Sequence, residues 1–134
     1  MSTGSPIEVA RVLAAEYGYG LQPVNYVRGV AMSGRLRLHR LEPGGGDPAA
    51  SIVEAVEPFV GGDVGTMLQA VDGSVLAAYV WADELSEATG DERYARLLEQ
   101  IASGYLETRA DGLPAPVDPD YRVEDVFFAG ALLG

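Results

Sequence analysis

The stretch DGSVLAAYVWADELSEATGDERYARLL, residues 72–98, decides the fold, because it reads as two helices joined by a tight turn. At the joint, Gly90 suits the left-handed residue that ends a helix, and Asp91 suits the N-cap of the next one. Apolar residues recur at helical spacing on both sides of this joint, at Val75, Ala78, Tyr79, Ala82 and Leu85 before it and at Tyr94, Leu97, Leu98, Ile101 and Tyr105 after it. The pattern predicts a helical hairpin.

Two more helices are predicted toward the N-terminus. Ser5-Pro6-Ile7-Glu8 is a capping box with proline at the first helical position, and it opens a helix to about Tyr17 that Gly18 and Gly20 close. An amphipathic helix of about sixteen residues follows, and Pro43 ends it. Its apolar face is predicted to consist of Val27, Val30, Ala31, Gly34, Leu38 and Leu41.

Asp47-Pro48 then predicts the N-cap and first residue of a third helix, which ends near Pro58 and Gly61. Its buried face is predicted to contain Ile52, Val53, Val56 and Phe59. No window alternates in the way that strands bounded by hairpin turns do, so the fold class is predicted to be all-α.

The order of helices and joints predicts a series of antiparallel helical hairpins, the unit of a solenoid or an α/α toroid. Residues 1–134 are then a single helical domain. The closing segment VEDVFFAGALLG, residues 123–134, would open a third hairpin. Because each hairpin buries its apolar face against its neighbours, we expect a longer chain or a partner protomer to cover that edge. A small bundle whose last short helix folds back is the alternative.

Composition excludes several function classes. The chain has no cysteine and one histidine, His39, so only a carboxylate-rich oxygen site remains as a metal option, and neither metal nor cofactor is predicted. A net charge of −11, with nine arginines and no lysine, argues against nucleic acid. The first residues lack a signal-peptide pattern, and no apolar run approaches the roughly 18 residues of a membrane span, so a cytoplasmic location is expected.

Four of the arginines fall within one predicted helix. Arg28 and Arg35 are seven residues apart and Arg37 and Arg40 are three apart, so they form two stripes. These stripes are interpreted as a solvated helix face, and contact with an anionic ligand is the alternative. His39 is interpreted as a surface residue. Asp83 and Glu84 are likewise predicted to face solvent.

The segments YVRGVAMSGRLRLHRL (26–41), 72–98 and 123–134 resemble successive hairpins of the unsaturated glucuronyl and rhamnogalacturonyl hydrolases, glycoside hydrolase families 88 and 105. The resemblance rests on an aromatic followed by a Gly-hydrophobic pair, an Asp before an inner helix, and TGDERY at a hairpin joint. It covers about two and a half of the six hairpins of that family's α/α barrel. It implies an enzyme that removes a 4,5-unsaturated uronic acid from oligosaccharides by hydrating the vinyl ether, and these hairpins alone would not close the cleft.

The resemblance also implies site residues. By position, Asp125 resembles the family's general acid/base and Asp72 the second aspartate, while Tyr26 falls where a sugar-stacking tryptophan is usual. Trp81 is a further aromatic candidate, and Arg28 is a candidate contact for the uronate. Plainer interpretations remain open: a helix cap for Asp125, an Asp-Gly turn for Asp72, and core packing for Tyr26 and Trp81.

Two other functions stay open at this point. One is another α/α-toroid carbohydrate enzyme, of the mannanase or epimerase type. The other is a non-catalytic helical scaffold that forms homo-oligomers through its apolar edge, formed by Phe127, Phe128, Leu132 and Leu133.

Overall fold

The computed structural model describes residues 4–21, 25–61 and 77–103, together with Gly130. Over these ranges the protein is all-helical and no strand is found, so the predicted fold class is confirmed. The elements are α1 (Pro6–Glu16), α2 (Tyr26–Leu41), α3 (Ala49–Val60), a 3₁₀ turn (Ala77–Tyr79), α4 (Ala82–Thr89) and α5 (Glu92–Ser103). Tyr105 and the closing segment other than Gly130 lie outside the described residues.

Helix starts follow the predicted capping chemistry. The Ser5 hydroxyl accepts a hydrogen bond from the Glu8 backbone N–H at 3.4 Å, and the Glu8 carboxylate accepts one from the Ser5 N–H, which completes the capping box. The N-cap of α3 is Pro48 rather than the predicted Asp47, but Asp47 Oδ1 still accepts a hydrogen bond from the Ala49 N–H at 2.8 Å. Asn25 caps α2.

The joint between α4 and α5 is also as predicted. Gly90 is left-handed, with φ of 74°, and its N–H donates to the Ser86 carbonyl at 2.8 Å. Asp91 Oδ1 accepts from the Arg93 N–H at 3.0 Å. Such a joint turns the chain back within two residues, so α4 and α5 pack side by side.

The start of α4 differs from the prediction. The helical spacing predicts one helix from Val75, but α4 begins at Ala82 and a 3₁₀ turn precedes it, while Val75 itself is outside the described ranges. The physical reason is burial, which extends over Ala77, Ala78, Tyr79, Trp81 and Ala82. No single face of an α-helix can bury so many successive positions, and the 3₁₀ turn interrupts the regular α-helical spacing there.

The hydrophobic core joins α2, α3, the 3₁₀ turn, α4 and α5. Its centre is aromatic: the Trp81 ring lies 6.0 Å from the Tyr79 ring and 5.9 Å, edge to face, from the Tyr94 ring. The predicted core face of α5 is confirmed for Tyr94, Leu97 and Ile101, and that of α3 for Ile52 and Val56.

The predicted apolar face of α2 is wrong. Val30 is 46% exposed and Leu41 73% exposed, and Gly34 is also exposed. The helix instead buries an adjacent stripe, which consists of Gly29, Met32, Ser33, Arg35 and Leu36. The stripe is shifted because α2 is packed between neighbours, with α1 against one side and the 3₁₀ turn and α4 against the other.

Gly29 marks the tightest of these contacts. A Cβ atom at this position would lie 2.2 Å from the Ala78 carbonyl oxygen, a distance that no side chain tolerates. Glycine therefore allows the start of α2 to touch the backbone of the 3₁₀ turn. On the opposite side α1 contacts α2 but has no buried residue of its own, so it lies outside the core.

Candidate functional site

The two predicted catalytic aspartates, Asp72 and Asp125, lie outside the described residues. Their roles and their separation therefore stay predictions. The other three predicted site residues, Tyr26, Arg28 and Trp81, are all described, and they occupy two different environments.

Tyr26 and Arg28 lie in the first turn of α2, at the surface. Tyr26 is 38% exposed, which leaves part of its ring open to a ligand. Arg28 is half-buried, and its Nη1 donates to the Leu21 carbonyl. Arg28 thus connects the start of α2 to the end of the α1 region, and its guanidinium has no carboxylate partner among the described residues.

Trp81 lies in the core, where only 1% of its surface is exposed. Its ring contacts Tyr79 and Tyr94, and this placement agrees with core packing, the plainer of the two sequence interpretations. A sugar cannot stack on a ring whose faces are covered in this way. Its indole Nε1–H is buried and finds no acceptor in the described part of the chain.

The arginine stripes of α2 exist, and their interpretation as a solvated face holds for Arg37 and Arg40, whose side chains are 63% and 58% exposed, but is wrong for Arg35. Arg37 and Arg40 both reach across to α4, where their guanidinium groups pair with Glu84 and Glu87. The matching spacing of three residues on each helix places two ion pairs side by side. This stripe connects α2 to α4 through two ion pairs whose arginines stay exposed, so each pair contributes little to stability.

Arg35, in the other stripe, is buried to 8% exposure. Its Nε donates to the Ala14 carbonyl at 3.0 Å, its Nη2 donates to the Tyr17 carbonyl, and its guanidinium carbon lies 3.8 Å from the Tyr19 ring centroid. Burial lowers the pKa of Arg35 from its ordinary value. The cation lies at the C-terminus of α1, where orphan carbonyls and the helix dipole favour positive charge.

A groove of about 720 Å³ lies between α1, α2 and the Gly44–Gly46 turn. Its basic groups are already satisfied. Arg11 forms a bidentate pair with Glu42, at 2.7 and 2.8 Å, and Arg35 is engaged as described above. The charge of Arg11 is therefore balanced by Glu42, and two of the Arg35 nitrogens already donate to backbone carbonyls, so the anionic-ligand interpretation of Arg35 gains no support.

Glu84 is a site residue that the sequence analysis misplaced. It is only 8% exposed rather than solvated, whereas its neighbour Asp83 is exposed as predicted. Oε1 of Glu84 binds Arg37, but Oε2 is buried with no hydrogen-bond partner within the described ranges. A usable signal was present: Glu84 lies three residues after Trp81 and therefore on the core side of α4.

Glu84 forms part of the wall of a second, smaller cavity of about 290 Å³. The cavity lies where the last turns of α2 and α4 meet the segment before α3, and Asp47 and Ala88 also line it. His39, predicted to be a surface residue, is half-buried and lines it too. The Nδ1 atom of His39 is buried and, like Glu84 Oε2, has no partner in the described part of the protein.

Comparison with known proteins does not assign the chain, since no family model, curated protein or solved structure matches it. Among the described residues, no group of three or more His, Asp or Glu side chains is arranged to hold a metal ion. No helix in those ranges is long and apolar enough to cross a membrane.

Proposed function

We infer that the protein is a carbohydrate-active enzyme of the unsaturated uronyl hydrolase type, and that the 134 residues form the N-terminal part of its α/α toroid. The observation that carries this proposal is the helical hairpin of α4 and α5, with α2 packed against α4 and α3 packed against both helices of the hairpin. A toroid of hairpins is built from units of this kind.

Two local features add support. The TGDERY joint has the left-handed glycine and the capping aspartate that a compact hairpin needs. Gly29, in the Gly-hydrophobic pair that follows Tyr26, is required by the close approach of Ala78. The residues that carry the resemblance thus have structural roles compatible with stacked hairpins.

The proposed reaction adds water across the double bond of a 4,5-unsaturated uronic acid. Asp125 acts as general acid and base, protonating one carbon while a hydroxyl group from water adds to the other, and Asp72 assists as the second carboxylate. The hemiketal product rearranges and releases the sugar. Tyr26, with its partly open ring, serves as a stacking platform, and Arg28 contacts the uronate carboxylate. Trp81 has no substrate contact in this proposal and acts by packing.

The test begins with the genomic reading frame, to establish whether it continues after Gly134. The complete product is then incubated with unsaturated uronyl disaccharides, and the loss of ultraviolet absorbance of the double bond is followed. We expect activity in the wild type, its loss in Asp125→Asn, and full activity in the control Asp83→Asn, whose side chain is exposed on α4. Activity that survives in Asp125→Asn removes that residue from the mechanism. Turnover of saturated glycans instead indicates a mannanase- or epimerase-type enzyme.

A second candidate function is a non-catalytic helical scaffold. It is favoured by α1, on which Val9, Val12 and Leu13 are each more than half exposed. Size-exclusion chromatography with light scattering separates the two proposals. An active monomer excludes the scaffold. An inactive dimer that Val12→Glu converts to monomer supports it.

A further inference from the structure

The pair of helices formed by α1 and α2 has an exposed apolar surface along its whole length. Apolar residues lie on it at helical spacing in both helices. Each of its five side chains other than glycine leaves about half of its surface or more exposed. We call this surface the α1–α2 strip, and it consists of Val9, Leu13, Tyr17, Val30, Gly34 and Leu41.

Both halves of the strip lie on the same side of the helix pair. The 720 Å³ groove occupies the other side, where Ala15 of α1 and His39 of α2 line it. A helix turns by about 100° per residue, so Leu13 lies about 160° around α1 from Ala15, and Gly34 lies about 140° around α2 from His39. The strip is therefore the face of the pair opposite to the groove.

The two halves also match along their length. α1 and α2 are antiparallel, because Arg35 binds the last carbonyls of α1 while Arg11 reaches the C-cap of α2. Leu13 and Gly34 are then level with each other at the middle of the strip. Its two ends are formed by Tyr17 with Val30 and by Val9 with Leu41.

Area and charge favour a second copy of the chain as the partner of this strip. The exposed fractions correspond to roughly 500 Å² on one chain, which is near the upper end for the largest apolar patch of a monomer. Two strips together would bury about 1,000 Å², the lower bound for a specific interface, before flanking residues are counted. No residue of the strip is charged, so two copies can meet here without the repulsion that a net charge of −11 imposes elsewhere.

The strip is also complementary to itself. Leu13 projects at its middle, and beside it Gly34 leaves a depression, since no described atom lies within 4 Å of an added Cβ. A two-fold axis that runs along the strip, between the helices, places α1 of each copy on α2 of the other. Leu13 of each chain then lies over Gly34 of the second copy, as a closed two-fold interface requires.

We propose that two copies of the chain associate through the α1–α2 strip and form a four-helix bundle with antiparallel neighbours. In this bundle α1, which has no fully buried residue in the single chain, packs on two helices instead of one. The dimer does not rest on the hydrolase proposal, and neither Asp72 nor Asp125 takes part in it.

Sedimentation velocity of the complete product between about 1 and 100 μM tests the association, and we expect a monomer–dimer equilibrium with a Kd on the order of 1 μM. Leu13→Glu places a charge at the middle of the interface and should raise Kd at least about 100-fold. Gly34→Glu should do the same, although it meets nothing in the single chain and improves the helix propensity of α2. Ala15→Glu, exposed on the groove side of α1, is the matched control and should retain the wild-type Kd.

Disulfide formation tests the arrangement of the two copies, because the chain has no cysteine of its own. Leu13→Cys and Gly34→Cys chains are mixed and oxidised. The mixture should form covalent dimers faster than either variant alone, since the two positions face each other across the interface. Equal rates in the mixture and in the separate variants contradict the two-fold arrangement.

Folding of each variant is checked by the fluorescence of Trp81, the only tryptophan and a core residue. If Leu13→Glu does not fold, Gly34→Glu decides. A complete product that stays monomeric at about 100 μM overturns the proposal. A dimer that persists in the folded Gly34→Glu variant also overturns it, because that dimer associates through another surface. Neither result bears on the hydrolase proposal, which the double-bond assay decides.

Discussion

α1 and α5 are helices of nearly equal length, 11 and 12 residues, that are attached to the molecule in opposite ways. α5 buries Tyr94, Leu97 and Ile101 in the core. α1 fully buries none of its residues and has only a half-buried apolar stripe, so polar contacts add to its attachment: Arg35 binds its last carbonyls and Arg11 pairs with Glu42. The difference teaches that the sequence pattern of an amphipathic helix does not by itself show whether that helix packs into the core.

The two kinds of attachment should respond differently to perturbation. Apolar burial stabilises by removing area from water, does not depend on pH, and is not weakened by the screening of charges by salt. Hydrogen bonds and exposed ion pairs contribute less each, and they weaken with salt or with protonation of a carboxylate. Mutations on the α5 side should therefore affect the whole fold, whereas mutations on the α1 side should release one helix.

The largest effect is expected for Trp81→Ala. The side chain is fully buried between Tyr79 and Tyr94, so its removal leaves a large cavity and should lower the free energy of unfolding by about 3–5 kcal/mol. Urea denaturation followed by far-ultraviolet circular dichroism measures this change. The control Val12→Ala, on the exposed side of α1, should stay within about 0.5 kcal/mol of wild type. An equal loss of unfolding free energy in both variants would show that α1 contributes to stability as the core residues do.

Gly29→Ala should have the next largest effect on stability, because the new Cβ would lie 2.2 Å from the Ala78 carbonyl oxygen. The backbone of α2 or of the 3₁₀ turn must move, and we expect a loss of about 2 kcal/mol despite the higher helix propensity of alanine. Gly34→Ala is a matched control on the same helix, since nothing lies within 4 Å of the added Cβ. It should raise stability by up to about 1 kcal/mol. A stabilised Gly29→Ala variant contradicts the close contact.

Much of this fold was predictable from local chemistry. Ser5, Asp47, Gly90 and Asp91 act within a few residues of themselves, so their roles are visible in the sequence alone. The burial of α5 was predictable for a similar reason, because only one of its faces is apolar. The buried stripe of α2 was not predictable from the sequence, because it depends on which helices lie on either side of α2.

The candidate site was less predictable than the fold. Burial of Arg35 depends on the C-terminus of α1 lying beside it, and burial of Glu84 depends on Arg37 reaching it from a helix 47 residues away in sequence. The contact of Arg35 with α1 leaves no periodic signal, and for Glu84 the sequence gives only its spacing of three residues from Trp81, without the identity of its partner. Charged residues were therefore predicted to be solvated, which is the usual outcome for their type.

Arg35→Met should have a smaller and local effect. Methionine retains much of the stem packing but removes the donors to Ala14 and Tyr17, and we expect a loss of about 1 kcal/mol because those carbonyls can bind water instead. Amide hydrogen exchange should show faster exchange in α1 and unchanged exchange in α5. Arg40→Met, in the stripe that faces α4, should leave α1 unchanged. Uniform loss of protection across both helices would mean that α1 belongs to the core unit.

The smallest effect is expected from acid. Hydrogen bonds from the Ser5 backbone and hydroxyl group hold the pKa of Glu8 below its ordinary value of 4.5, and the Arg11 guanidinium does the same for Glu42. A carboxylate with a lowered pKa in the folded state contributes stability above its unfolded value, and that contribution is lost as pH falls through the folded value. Below about pH 4.5, α1 should therefore lose hydrogen-exchange protection before α5 does. Glu42→Gln should flatten this dependence in α1, and added salt should reduce it in the wild type, because both groups are solvent-exposed and screened. Simultaneous loss of protection in α1 and α5 on acidification would show that the polar contacts do not set the stability of α1, and that its attachment depends on packing that the exposed face of α1 does not reveal.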